Sequence, residues 1–166
     1  MSKEYEEDRE VKKYKEDKEY KEYSITYLPK TADVRFRVVA KDLKSLFVGS
    51  VVAMIDVMVD HKRIEDNIKK EISVFADSVD KLLVRFLEEV LFLLDADGFL
   101  TGKVEDLTIE ETSNGFLLNA VLLGDDVNKT SKYELSSGVK AVTYNDFVFK
   151  YDDEDKQYIV EVTLDV

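Results

Sequence analysis

Residues 34–58 read VRFRVVAKDLKSLFVGSVVAMIDVM, and the hydrophobic period changes within this stretch. Val34, Phe36 and Val38 alternate with two arginines, which is the two-residue period of a half-buried strand. Beyond Asp42, which can cap a helix, large apolar residues recur every three or four positions. They are Leu43, Leu46, Phe47, Val51, Met54, Ile55 and Met58. The stretch therefore predicts a strand followed by a helix that lies on a sheet.

The same two periods recur in the rest of the chain. Strands are predicted at 23–28, 34–40, 68–76, 103–112, 116–124, 139–151 and 157–165. A second helix is predicted from Ser78 to about Gly98, and we expect it to be more buried than the first. Asn114-Gly115 suits a primed hairpin turn. The predicted fold class is α+β, with a mixed or antiparallel β-sheet and two helices packed on it in a single domain.

Composition limits the function. The chain has 166 residues and a net charge of −12 from 36 acidic and 24 basic side chains, which disfavours direct binding to nucleic acid or to an anionic membrane. It has no cysteine, which excludes disulfides, thiolate zinc sites and a cysteine nucleophile. No apolar run approaches the roughly 20 residues that span a bilayer. We expect a soluble, cytoplasmic protein whose partner is another protein.

The amino-terminal segment differs from the rest. Residues 1–22 carry 7 basic and 9 acidic side chains, with Val11 as the only aliphatic side chain after Met1. Such a segment cannot bury enough apolar surface to fold alone. We predict a charged, flexible tail over 1–22 and a folded domain over 23–166.

Several short motifs favour structural interpretations. Asp95-Ala-Asp97-Gly98 lacks the later ligands of a calcium loop, so we expect a helix end with Gly98 at positive φ. Gly124-Asp-Asp126 is expected in a loop without a nucleotide site, because no glycine-rich phosphate loop accompanies it. His61, the only histidine, is expected on the surface, and residues 152–155 at a hairpin tip.

Asp33 and Asp165 are the carboxylates with the strongest functional interpretation. If the fold brings them together, the α-carboxylate of Val166 supplies a third anionic group, and three such oxygen donors suit a hard cation. The chain end would then be functional. The structural interpretation is that Asp33 caps a turn and Asp165 is a frayed end residue.

Four motifs, in order, resemble the archease family over about residues 23–166. They are Thr31-Ala-Asp33-Val, Phe92-Leu-Leu-Asp-Ala-Asp-Gly98, Val139-Lys-Ala-Val-Thr-Tyr144 and Leu164-Asp-Val166. The resemblance implies a small α+β protein that is not itself an enzyme. It implies an activating cofactor of the RtcB-type tRNA-splicing RNA ligase, which helps the ligase acquire its covalent guanylate and turn over repeatedly.

The resemblance also implies site residues. A divalent metal would be bound by Asp33, Asp165 and Val166, with calcium as the first choice and magnesium or manganese as alternatives. Lys140 would be a functional basic residue, with a solvent-facing strand residue as its structural interpretation. The family motif usually has histidine where this chain has Lys30. We expect Lys30 to pair with the acidic cluster and to weaken its metal affinity.

Two other functions stay open at this point. One is a general protein chaperone or an acidic protein-binding module, whose charge serves solubility alone. The other is a metal-dependent hydrolase that uses Asp33 and Asp165. The hydrolase is the less favoured, because the sequence offers no base of near-neutral pKa beside them.

Overall fold

The computed structural model describes residues 18–19, 22–135 and 138–166. The predicted tail over 1–22 falls almost wholly outside these residues and stays a prediction. Along the described chain the elements are β1 (Lys18–Glu19), β2 (Tyr23–Leu28), β3 (Val34–Ala40), α1 (Leu43–Met58), a 3-10 helix (His61–Arg63), β4 (Ile68–Ala76), α2 (Val79–Asp97), β5 (Phe99–Thr112), β6 (Gly115–Asp126), β7 (Ala141–Asp152) and β8 (Gln157–Asp165).

The strands form two antiparallel sheets. The larger has the order β1-β2-β3-β8-β7, and the smaller has the order β4-β6-β5. Helix α1 contacts strands of both sheets, and so does α2. The α+β class with two packed helices is confirmed, and the strands divide between two sheets around them. Strand β8 lies between β3 and β7. It follows β7 directly in the sequence, whereas β3 is more than 100 residues away.

Helix α1 is the more buried of the two helices, so the opposite expectation was wrong. It buries 11 of its 16 residues, whereas α2 buries 8 of 19. The large apolar residues alone do not account for this, because Ser45, Gly49 and Ser50 are buried as well. At Gly49 a Cβ atom would lie 2.7 Å from Cδ2 of Tyr23. A residue without a side chain therefore lets α1 approach the larger sheet closely.

Local signals in the sequence fix most element ends. The Asp42 carboxylate accepts the N–H of Ser45 at 2.8 Å and caps α1. Gly98 ends α2 with φ 69°, as predicted. The turn between β5 and β6 is not primed, because neither Ser113 nor Asn114 has positive φ. No helix in the described part of the chain is both long and apolar enough to cross a membrane.

Candidate metal centre

Strand register brings the predicted site residues to one end of three adjacent strands. Val34 of β3 lies opposite Leu164 of β8, and Asp33 immediately precedes β3. Ala141 of β7 lies opposite Asp165 of β8. Asp33 and Asp165 are 132 positions apart in the sequence, yet they lie together at the same end of these strands, next to the start of β7. We call this end of the strands, with Asp33, Asp165 and Val166, the acidic edge.

The donor groups at this edge fit a hard divalent cation. Asp165 is exposed, while Asp33 and Val166 are half-buried. Within the described residues, neither aspartate carboxylate is in a hydrogen bond or ion pair with another protein group. Two free carboxylates and an α-carboxylate are the oxygen ligands that calcium, magnesium or manganese prefers. The assignment of Asp33, Asp165 and Val166 as ligands stays a prediction.

Lys140 lies at the same edge. It immediately precedes β7, and its backbone N–H donates to the carbonyl oxygen of Asp165 at 2.7 Å. The residue is exposed. Its position next to Asp165 is compatible with the functional role that the resemblance implies, and that role also stays a prediction.

Lys30 does not pair with the acidic edge, so that expectation was wrong. Its ammonium Nζ lies 2.9 Å from Oδ2 of Asp146 on β7. The hydrogen bond from Lys30 holds the pKa of Asp146 below its usual value. The lysine that replaces the family histidine is thus bonded to a carboxylate outside the predicted ligand set.

Asp146 reaches Lys30 because β7 contains an irregular bulge of several residues. The register shifts between Thr143 and Val148, so residues 144–147 lie against the single residue Val162 of β8. Asp146 has φ 54°, a left-handed conformation that aspartate tolerates better than most residues. Its carbonyl oxygen also accepts a hydrogen bond from Arg35 on β3 at 3.3 Å. The side chain of Arg35 therefore links β3 to the bulge of β7.

Glu161 binds the two arginines of β3. Its Oε1 lies 2.6 Å from Nη2 of Arg35, and its Oε2 lies 3.3 Å from Nε of Arg37. Glu161 is buried, although it alternates with core residues along β8. Two guanidinium groups compensate the burial of this one carboxylate.

The sequence analysis did not predict a hydrogen bond between two side chains at the end of α1. Nδ1 of His61 lies 2.7 Å from Oδ1 of Asp56, whose side chain is only 3% exposed. The expectation that His61 is a surface residue was wrong, because it packs against this buried carboxylate. An aspartate inside an apolar helix stretch was the signal, since a buried carboxylate requires a partner.

The other carboxylate motifs have structural roles. Asp125 belongs to strand β6 rather than to a loop, and it is buried. Oδ1 of Asp152 accepts the N–H groups of Glu154 and Asp155, which closes the predicted hairpin tip. The prediction of a turn at residues 152–155 is confirmed.

Comparison with known proteins decides the family. The model of the Archease protein family matches residues 25–166. The chain belongs to the archease family. The protein archease of Thermococcus kodakarensis is 37% identical over 116 residues, which cover 70% of this chain and 80% of that protein. The protein archease of Methanosarcina barkeri is 32% identical over 124 residues, which cover 72% and 81%.

A solved structure confirms the archease fold. The solution structure of Methanobacterium thermoautotrophicum protein 1598 matches with a TM-score of 0.72 and 26% identity. The match covers 86% of this chain and 98% of that one. Membership of the archease family supports, in general terms, a role in activating a tRNA-splicing ligase. The relatives carry the name protein archease rather than the name of a catalysed reaction.

Proposed function

We propose that this protein activates an RtcB-type tRNA-splicing RNA ligase in the cytoplasm, and that it does so with a divalent cation held by Asp33, Asp165 and the α-carboxylate of Val166. The activation promotes guanylylation of the ligase and its repeated turnover. One observation supports the proposal: the register of β3, β8 and β7 brings Asp33, Asp165 and Lys140 to one end of these strands, and neither aspartate carboxylate has a partner among the described residues.

The charge of the chain favours a protein partner. A net charge of −12 repels RNA, so contact with a splicing reaction is expected to run through the ligase. An enzyme that binds RNA exposes basic surface, and an acidic protein is attracted to such a surface. A bound divalent cation would offset only two of the three negative charges of Asp33, Asp165 and the α-carboxylate of Val166, so the site would stay acidic. Lys140 adds a second positive group there.

The site residues support an activator rather than an enzyme. The single histidine of the chain is bonded to Asp56 and is not among the predicted ligands. Asp33 and Asp165 would hold the cation, and Lys140 would contact the partner or its nucleotide. In this proposal the ligase supplies the nucleophile and the bond-breaking chemistry.

Auto-guanylylation of the ligase tests the proposal. We expect wild-type protein to stimulate the reaction, and Asp33→Ala and Asp165→Ala proteins to give no stimulation while they remain folded. Asp153→Ala is the matched control, because this exposed aspartate lies in the turn at the other end of β8. Full stimulation by the Asp33 and Asp165 variants would overturn the proposal.

An aggregation assay with an unrelated client protein separates activation from general chaperoning. A chaperone would keep unrelated proteins in solution, and its effect would need neither a divalent cation nor Asp165. We expect no suppression of aggregation of an unrelated client, with or without calcium.

A further inference from the structure

The basic residues near Asp33 in the sequence pair with acids that are not predicted ligands. Three basic residues lie close to Asp33 in the sequence, and they are Lys30, Arg35 and Arg37. Each of them is bonded to an acid other than the predicted ligands. Asp146 binds Lys30, and Glu161 binds both arginines. The carboxylates of Asp33 and Asp165, in contrast, have no such partner among the described residues.

Of these three basic residues, Lys30 is the one that shares a loop with Asp33. It lies three positions before Asp33, on the same loop between β2 and β3. A lysine ammonium is a compact charge on a flexible stem, so it can move to the nearest unpaired carboxylate. If it paired with Asp33, it would neutralise a ligand and repel a divalent cation. In the structure the ammonium is instead bonded to Asp146.

Asp146 can make that bond only because of the β7 bulge. In a regular ladder, each residue of β7 pairs with a residue of β8, its immediate neighbour in the sheet. Residues 144–147 instead lie outside the regular pairing, and here the carbonyl oxygen of Asp146 contacts the Arg35 guanidinium and its carboxylate contacts the Lys30 ammonium. Two bonds from one residue fix its position on this face. The predicted ligands take no part in either bond.

We propose that Asp146 is a positioning residue, which holds the Lys30 ammonium away from the acidic edge and so keeps Asp33 free to bind a divalent cation. The inference rests on the proposed cation site. It assigns to the bulge a role in ligand affinity, beyond any role in strand geometry.

Two single substitutions separate this role from a structural one. Asp146→Asn and Lys30→Met break the same exposed ion pair, so we expect the same small loss of thermal stability from each. Only Asp146→Asn releases the ammonium. Calcium titrated into each protein in a calorimeter should bind about fivefold more weakly to the Asp146→Asn protein, which corresponds to about 1 kcal/mol. The Lys30→Met protein should bind at least as tightly as wild type.

A double variant and a charge control complete the experiment. Lys30→Met combined with Asp146→Asn removes the competing charge, so calcium affinity should return to within about twofold of wild type. Asp153→Asn removes the same charge at the far end of the hairpin and should leave the affinity unchanged. Equal affinity losses in the Lys30→Met and Asp146→Asn proteins would overturn the inference, because they would indicate that the ion pair only stabilises the local structure.

The outcomes also separate this inference from the proposed function. Wild-type protein that binds calcium, an Asp33→Ala protein that does not, and an Asp146→Asn protein that binds as wild type would overturn the inference alone. Wild-type protein that binds neither calcium, magnesium nor manganese would overturn both.

Discussion

The backbone N–H of Lys140 donates to the carbonyl oxygen of Asp165 at 2.7 Å, one residue before β7 begins. The bond joins the segment that carries the predicted functional lysine to the residue that carries a predicted ligand. Because it is made by backbone atoms, it persists when either side chain is changed. Side-chain substitution and chain truncation should therefore differ in their effects on stability.

Asp165→Ala should remove function without affecting the fold. The residue is exposed, so we expect the free energy of unfolding in urea to change by less than about 0.5 kcal/mol. Deletion of Asp165 and Val166 also removes the backbone bond and should cost about 1 kcal/mol. Both variants should fail to stimulate ligase guanylylation. A loss of several kcal/mol in the Asp165→Ala protein would indicate a structural aspartate instead.

Glu161→Gln should destabilise the protein by about 2 kcal/mol, because hydrogen bonds to charged groups contribute about 1.5–3 kcal/mol. The substitution removes the charge that compensates Arg35 and Arg37. Urea unfolding at neutral pH measures the change. Glu154→Gln, at the exposed hairpin tip, is the matched control and should leave stability unaltered. Equal stability of the two variants would contradict a stabilising role for the bonds from Glu161 to Arg35 and Arg37.

Tyr133→Phe should destabilise the protein in a pH-dependent way. The Tyr133 hydroxyl donates to Oδ2 of Asp125 at 2.8 Å and accepts the N–H of Glu65 at 3.0 Å. The hydrogen bond from Tyr133 is the main cause that holds the pKa of Asp125 below its usual value of 3.8. We expect a loss of about 1–2 kcal/mol at pH 7.

The sign of the pH effect follows from the lowered pKa. A carboxyl whose pKa is lower in the folded state stabilises the protein above its unfolded-state pKa. That contribution disappears as the pH falls through the folded-state pKa. The difference in unfolding free energy between wild type and Tyr133→Phe should therefore shrink between pH 5 and strongly acidic pH. A difference that stays constant over this range would argue against an ionised Asp125 as the partner.

Gly124→Ala should destabilise β6 by about 1–3 kcal/mol, the usual cost of overpacking. A Cβ atom at Gly124 would collide with the backbone carbonyl oxygen of Leu100, which cannot rotate away as a side chain would. Gly138→Ala is the matched control, because nothing lies within 4 Å of its added Cβ. Thermal unfolding should show a lower Tm for Gly124→Ala only. A Tm equal to that of wild type would show that the strand can shift at little cost.

Local signals allowed most of the fold to be predicted. Strand alternation, the Asp42 cap and the Gly98 helix end depend on residues close in sequence, and the structure has the elements where those signals stand. Strand β5 begins at Phe99, earlier than the predicted residue 103. Bulges near Gly102 interrupt its pairing with β6, and they disturb the alternation that the prediction used.

Features that depend on distant contacts were not predictable. Lys30 and Asp146 are 116 residues apart. The sequence from Tyr144 to Phe147 contains no glycine or proline that would predict the bulge that brings them together. The partial burial of His61 depends on its hydrogen bond with Asp56 across the end of α1. Composition and periodicity describe elements, whereas these contacts form only when elements pack.

The position of β8 has a consequence for synthesis of the chain. β8 is the last of the described strands to be made, yet it lies between β3 and β7. Until residues 157–165 leave the ribosome, β3 is paired only with β2, and β7 is paired with no strand of its sheet. Unpaired strands of this kind pair readily with other chains. A prematurely ended chain would be prone to aggregate. It would also lack the strand that lies between Asp33 and Lys140 and that carries Asp165.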